Sequence, residues 1–111
     1  MVVWWSAFVE IRSGISRLHR NHQITDRDQQ GAVSRLRLIA SAWREVIPDD
    51  TLRDLAAEEL DKYSLSAADA LHLAAALTWC QRRPARRTFI TVDQRLADAA
   101  RAVGFAVLAF P

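Results

Sequence analysis

Cysteine, lysine and long apolar runs are scarce in this chain of 111 residues. Cys80 is its one cysteine, so no internal disulfide can form and a zinc site built from cysteines is excluded. No apolar stretch approaches the roughly 20 residues that a membrane-spanning helix needs. We therefore expect neither a disulfide scaffold nor a helical membrane protein.

The first ten residues, MVVWWSAFVE, have no basic lead of the kind that opens a secretory signal peptide. Glu10 also ends the apolar stretch too early for such a signal. The chain contains no internal repeat, low-complexity segment or linker. These features predict one cytoplasmic domain over residues 1–111, with no membrane partner.

Positive charge is carried almost entirely by arginine, since Lys62 is the one lysine. The net charge is +2 and the pI is near 9.3. Arginine suits bidentate contacts with phosphate. An excess this small is compatible with a nucleic-acid partner but does not establish one.

Apolar periodicity predicts alternating strands and helices. We expect strands over residues 2–5, 44–47, 88–92 and 105–110. We expect helices that start near Ser6, Thr25, Asp49, Ser66 and Asp93. The first helix should turn Phe8, Ile11, Ile15 and Leu18 to the core. The second should run to about Trp43, with its inner face marked by Ala32, Leu36, Ile39, Ala40 and Trp43. The fourth, ADALHLAAALTWC, should be largely buried. The order indicates the α/β class, with a largely parallel sheet.

Three acidic residues lie where such a sheet binds ligands, beyond the carboxyl ends of its strands. Glu10 is on the helix after the first strand, Asp93 follows the strand over 88–92, and Asp69 is in the first turn of the fourth helix. Three converging carboxylates repel one another unless a cation lies among them. Mg²⁺ or Mn²⁺ fits oxygen ligands of this kind, which is the chemistry of metal-dependent nucleases.

Each acid also has a structural interpretation. Asp69 follows Ser66 by three residues and could complete a capping box. Asp93, between a strand and a helix, could be an ordinary N-cap. Glu10 could be a partly exposed helix residue. Position alone leaves these alternatives open.

Three polar residues are accessory candidates. His72, one turn beyond Asp69, could touch a phosphate or an acid, or be a satisfied core histidine. Ser6 and Thr91 flank strand ends and could hydrogen-bond a ligand or a metal-bound water. Capping and strand packing explain Ser6 and Thr91 equally well.

A loop near the C-terminal third is rich in arginine. Contact with the RNA backbone and simple solvation are both open for its four arginines, and Arg95 is predicted to bind nucleic acid with them. The four are Arg82, Arg83, Arg86 and Arg87. The tryptophans, Trp79 among them, are expected in the core or at an interface rather than as stacking platforms for bases.

Two segments resemble the PIN-domain toxins of the VapC type. Residues 66–76, SAADALHLAAA, resemble the family's "ADALHLA" segment, and residues 91–96, TVDQRL, resemble its "T-x-D-x-R-L" segment. The opening strand with Phe8, Val9 and Glu10 resembles the family's second strand and the acidic helix that follows it. The resemblance covers essentially the whole chain.

The resemblance implies a three-layer PIN fold, with a central, mostly parallel sheet flanked by helices. It implies a Mg²⁺- or Mn²⁺-dependent endoribonuclease, the toxin of a toxin–antitoxin pair. A VapB-like antitoxin and often a homodimer are implied as partners. Carried over by position, Glu10, Asp69 and Asp93 are acidic metal-site residues, and Thr91 is accessory.

The chain departs from the family at its start. PIN proteins usually begin with a central strand that ends in an aspartate, and here the first acid is Glu10. We expect a weaker metal site, and a sheet whose middle slot needs a partner or a swapped element. Met1 as an internal position of a longer protein is the alternative.

Two other functions remain open from the sequence. The chain could be a non-catalytic PIN remnant that binds an antitoxin or a second subunit. It could also be a small basic helical DNA-binding protein, although no helix-turn-helix pattern stands out.

Overall fold

A computed structural model describes residues 1–109. The element order is β1 Val2–Trp4, α1 Ala7–Arg20, α2 Asp26–Ala40, β2 Arg44–Val46, α3 Asp50–Tyr63, α4 Ala67–Trp79, β3 Thr88–Thr91, α5 Gln94–Val103 and β4 Ala106–Ala109. The alternation of strands and helices confirms the predicted α/β class. The predicted last strand reached Phe110, which lies outside the described residues.

The chain divides into two compact units, unit 1 over Met1–Glu45 and unit 2 from Val46 onward. The prediction of a single domain over residues 1–111 stays a prediction. Among the described residues the strands form two pairs, β1 with β2 and β3 with β4. None of the described helices is both long enough and apolar enough to cross a membrane.

Unit 1 is built around the packing of α1 on α2. His19, near the end of α1, pairs with Asp26, the first residue of α2. A complete capping box starts α2: the Asp28 N–H donates to the Thr25 hydroxyl, and the Thr25 N–H donates to the Asp28 carboxylate, both at 3.1 Å. These contacts fix the turn between the two helices.

The predicted inner faces of these helices are partly wrong. In α1, Ile11 is 44% exposed and Leu18 is 42% exposed, and Ala7 is the one buried residue. In α2, Leu36 is buried but Ile39 is exposed. Periodicity identified the apolar stripes, but a pair of helices with one short strand pair covers only a part of each.

The second helix also ends earlier than predicted, at Ala40 instead of Trp43. The Ser41 hydroxyl donates to the Leu38 carbonyl at 2.6 Å, which gives the last turn a partner from a side chain. Serine competes with the helix backbone in this way and favours helix ends.

Unit 2 has its core between α3 and α4, which pack extensively on each other. The prediction that α4 is largely buried holds for the middle of the helix, where Leu73 and Ala74 are fully buried, but Ala67, Ala68 and Trp79 at its ends are exposed. Small alanine side chains let another helix approach closely. On α3, Leu52 and Leu55 are buried.

The rest of unit 2 is a strand–helix–strand element. β3 and β4 are parallel, with Phe89 opposite Val107 in the register. The rings of Phe89 and Phe105 lie 5.5 Å apart, centroid to centroid, and both residues are buried. Asp93 begins α5 directly after β3, so the carboxyl end of β3 leads straight into the helix start.

Candidate functional site

Asp69 lies in the first turn of α4, and its carboxylate is not part of a capping box. The Asp69 N–H donates to the Ser66 hydroxyl at 3.2 Å, so Ser66 caps the helix as predicted. The reciprocal bond, from the Ser66 N–H to the Asp69 carboxylate, is absent from the described residues. The capping-box interpretation therefore accounts for Ser66 but not for the acid of Asp69.

Asp93 is the N-cap of α5, as the structural interpretation expected. Its Oδ1 accepts a hydrogen bond from the Leu96 N–H at 2.9 Å. The Asp93 N–H in turn donates to the Thr91 hydroxyl at 3.0 Å. Asp93 is exposed, and the capping bond engages one of its carboxylate oxygens, Oδ1.

Thr91 is accessory in a structural sense. As the last residue of β3 it accepts from the backbone of Asp93, so it helps to set the direction in which the chain leaves the strand. This contact explains its place in the motif without requiring that it touch a ligand.

Glu10 lies on α1 in unit 1, and its Oε2 accepts a hydrogen bond from the Ser6 hydroxyl at 2.8 Å. Ser6 stands at the N-cap position of α1 but makes no side-chain capping bond. The prediction that Ser6 caps the helix is therefore wrong for its side chain. The serine orients the acid one turn later instead.

His72 follows Asp69 by three residues on α4, so the two residues share one face of the helix. It is half-buried. Its assignment as an accessory residue stays a prediction.

The positions of the acidic, histidine and cysteine side chains decide which of them could hold a metal ion together. Within residues 1–109, no three histidine, cysteine, aspartate or glutamate side chains are grouped so that they could hold one metal ion. Glu10 belongs to unit 1 and the two aspartates to unit 2, so a shared site for Glu10, Asp69 and Asp93 stays a prediction. Mg²⁺ itself needs only one or two carboxylates, with water and substrate phosphate as further ligands. The carboxylate oxygens of Asp69 and Asp93 are ligands of the kind that Mg²⁺ prefers, and a site shared by the two stays a prediction.

The arginines predicted to bind nucleic acid fall into two places. Arg95, in the first turn of α5, is exposed two residues beyond Asp93. The other four lie in the loop between α4 and β3, at the opposite ends of the two elements that carry the acids. Trp79 is ten residues after Asp69 along α4, which is about 15 Å of helix. Of these five arginines, Arg95 is therefore the one closest along the chain to an acidic position of unit 2, Asp93.

Unit 1 contains one further surface feature, a shallow cavity of about 370 Å³ along α2. It is lined by Arg27, Asp28, Gly31, Ala32 and Arg35. Asp28 already completes a capping box, and none of the predicted site residues lines the cavity. No motif in the sequence assigns chemistry to this cavity, and it adds none to the acids.

A comparison of the sequence with models of protein families shows to which family the chain belongs. The PIN domain family model matches residues 6–102, which is most of the chain. The chain belongs to the PIN-domain family. A search among curated proteins found no match, and a search among solved structures found none.

PIN domains are generally nucleases, and the matched range includes Glu10, Asp69 and Asp93. Sequence reasoning missed two residues of this PIN domain. Trp79 is exposed, which contradicts a place in the core and leaves the interface alternative open, and Glu59 is a buried acid on α3. The apolar spacing of α3 could have identified Glu59, since it falls on the same stripe as Leu52 and Leu55.

Proposed function

We propose that this PIN domain is an endoribonuclease whose reaction depends on Asp69 and Asp93, with Glu10 as a third acid. The observation that supports the proposal most directly is the Asp69 carboxylate, which makes no capping bond at the start of α4 among the described residues. An acid in the first turn of a largely buried helix, without a capping role, is available to a substrate or a cation.

The protein side chains would prepare the site before substrate arrives. Asp93 is held by Leu96 on one oxygen and by Thr91 through its backbone. Ser6 holds one oxygen of Glu10. A carboxylate fixed in this way loses less freedom when it binds a ligand. Arg95 could then contact a phosphate near Asp93.

We also propose that Mg²⁺ or Mn²⁺ is the cofactor, held by Asp69 and Asp93 and, where it reaches them, Glu10. Bound there, such an ion would orient the phosphodiester, lower the pKa of the attacking water and stabilise the leaving oxygen. Binding can be measured apart from activity, as broadening of the NMR signals of residues 67–72 and 91–96 by Mn²⁺. Broadening confined to other parts of the chain would contradict the assignment.

The biological role we propose is that of a toxin, with a VapB-like antitoxin and a second copy of the chain as partners. The support is the two motifs at residues 66–76 and 91–96. Expression in a bacterial host should arrest growth, and Asp69→Asn should relieve the arrest at equal protein level. Growth arrest that persists in the variant would show that the effect is unrelated to this site.

Cleavage tests the enzymatic proposal. The full chain is incubated with end-labelled single-stranded RNA in Mg²⁺, and in parallel with a chelator. We expect cleavage that requires the metal. Cleavage that continues unchanged in the chelator would contradict the role of the cation.

A second candidate is a non-catalytic PIN domain that binds an antitoxin or a second subunit. The observation that favours it is that no group of three metal-binding side chains is found within residues 1–109. This candidate predicts partner binding with no RNA cleavage by wild type. Metal-dependent cleavage that is lost in Asp93→Asn would exclude it.

A further inference from the structure

Trp79, the last residue of α4, is 45% exposed, and the guanidinium group of an arginine packs against its ring. The guanidinium carbon of Arg87 lies 5.0 Å from the ring centroid. This distance is within the roughly 6 Å over which a cation is attracted to an aromatic face. An exposed indole with a guanidinium beside it offers both a stacking surface and phosphate donors.

The loop that joins α4 to β3, residues 80–87 and here called the basic loop, has a defined backbone. The Arg82 N–H donates to the Leu77 carbonyl at 2.8 Å, and the Arg87 N–H donates to the Pro84 carbonyl at 2.9 Å. Arg82 and Arg86 have φ values of 58° and 66°, in the left-handed region that non-glycine residues rarely adopt. The loop therefore presents its arginines from a fixed framework.

The four arginines of the basic loop have no acidic partner in the part of the chain that the structure describes. Each is exposed. Among the ion pairs of residues 1–109, none involves Arg82, Arg83, Arg86 or Arg87. A cluster of positive charges without neutralising acids suits a polyanion.

The basic loop is also separated from the acidic positions. Arg87 directly precedes β3, and Asp93 follows Thr91 at the other end of the strand. Because a strand rises about 3.3 Å per residue, β3 separates the basic loop from Asp93. A ligand held at the basic loop does not compete with the acids for the same atoms. Contacts at the basic loop would therefore add to the affinity for a ligand without occupying the acidic positions.

We propose that Trp79 and the basic loop form a docking surface for single-stranded RNA, with a base stacked on the indole and phosphates bound by the arginines. The inference rests on the proposed function for its choice of RNA as the polyanion. Stacking on aromatic side chains is the common device for binding single strands, because the bases of a duplex are stacked on one another.

Binding without cleavage tests the proposal. The full chain is titrated into a short fluorescein-labelled oligouridine in chelator, and anisotropy is recorded over a range of salt concentrations. Replacing Trp79 with leucine should weaken binding about tenfold, the loss expected for one stacked base. Trp79→Phe should restore most of the affinity, since it keeps an aromatic face.

Charge is tested separately. Replacing Arg82, Arg83 and Arg86 together with glutamine should lower the salt slope of log K by about 0.7 for each phosphate that the variant no longer neutralises. Arg53→Gln is the matched control, an exposed arginine of unit 2 on α3, and it should leave the slope unchanged.

Three results would overturn the proposal. They are wild-type affinity in Trp79→Leu, an equal loss in Trp79→Leu for single-stranded and duplex RNA, and an equal change of slope in Arg53→Gln. The proposed nuclease is tested independently, because the binding titration is run in chelator, where metal-dependent cleavage does not take place. Failure of cleavage with this binding intact would count against the enzyme but not against the docking surface.

Discussion

The Asp69 N–H donates a hydrogen bond to the Ser66 hydroxyl at 3.2 Å, but the Asp69 carboxylate accepts none from the Ser66 N–H among the described residues. At the start of α2, Thr25 and Asp28 have the same spacing and make both bonds. The two helix starts thus share a sequence pattern and differ in what the acid does. Asp28 stabilises its helix, whereas Asp69 is available for another ligand.

Asp69→Asn should therefore leave stability nearly unchanged, by less than about 0.5 kcal/mol, because the carboxylate makes no capping bond that the substitution could remove. Asp28→Ala should cost about 1 kcal/mol, since it removes one bond of a capping box. Urea unfolding of both variants measures the difference. Equal destabilisation by the two would mean that Asp69 has a structural role in α4.

Two substitutions of Asp93 should separate its capping of α5 from its proposed role in RNA cleavage. Asparagine is as good an N-cap as aspartate, whereas alanine loses the bond to Leu96 and should cost about 1 kcal/mol of stability. We expect Asp93→Asn to fold like wild type and both variants to lose cleavage. Full activity in the stable Asp93→Asn variant would assign the residue to capping alone.

Ser6→Ala should have little effect on the stability of α1, because its side chain makes no capping bond. Thr25→Ala, the matched control in unit 1, should cost about 1 kcal/mol. If Glu10 takes part in the reaction, Ser6→Ala should also lower the rate of cleavage, since it releases one oxygen of that acid. Thermal unfolding and a cleavage time course together measure the two effects. Equal losses of stability in Ser6→Ala and Thr25→Ala would show that the Ser6 side chain caps α1 after all.

The helix starts at Ser66 and Asp93 were predictable because each depends on local chemistry, and so was the strand expected over 88–92, which ends one residue earlier, at Thr91. A serine or an aspartate before an apolar helix, and a short β-branched stretch, need no knowledge of distant residues. The exposure of Ile11 and Trp79 was not predictable in this way. Burial depends on which elements pack against a stripe, and periodicity does not contain that information.

The candidate site was predictable only in part, for the same reason. Chain direction placed Asp93 at the carboxyl end of β3, where the structure has it. The hydrogen bond from Ser6 to Glu10 and the missing half of the capping box at Asp69 depend on side-chain rotamers. Sequence spacing is identical for the complete box at Thr25 and the incomplete one at Ser66.

Gly104 should be difficult to replace. It ends α5 with a φ of +112°, and a Cβ there would lie 3.1 Å from Cγ of Pro84 in the basic loop. Gly104→Ala should destabilise unit 2 by about 1 kcal/mol or more. Gly14→Ala, inside α1 with open space around it, should instead stabilise the chain by roughly 0.5–1 kcal/mol. Chemical denaturation compares the two, and a stabilising Gly104→Ala would contradict this account of the turn.

Glu59 is a buried acid on α3, 7% exposed, and its Oε2 has no hydrogen-bond partner among the described residues. Replacing it with methionine should stabilise the protein by about 1–3 kcal/mol, the usual cost of leaving a buried polar atom unsatisfied. The neighbouring exposed Glu58, changed to methionine, should have little effect. A destabilised Glu59→Met variant would show that the carboxylate has a favourable partner in solution.

The most direct test of the proposed active site compares single-stranded RNA cleavage in Mg²⁺ by wild type, Asp69→Asn, Asp93→Asn and Asp98→Asn. Asp98 is an exposed acid on α5 that contacts Gln94 and Arg101, so its variant controls for the loss of a charge. We expect Asp69→Asn and Asp93→Asn each to slow cleavage by about 100-fold or more, and Asp98→Asn to match wild type. Cleavage at the wild-type rate in both Asp69→Asn and Asp93→Asn would contradict the assignment of the active site.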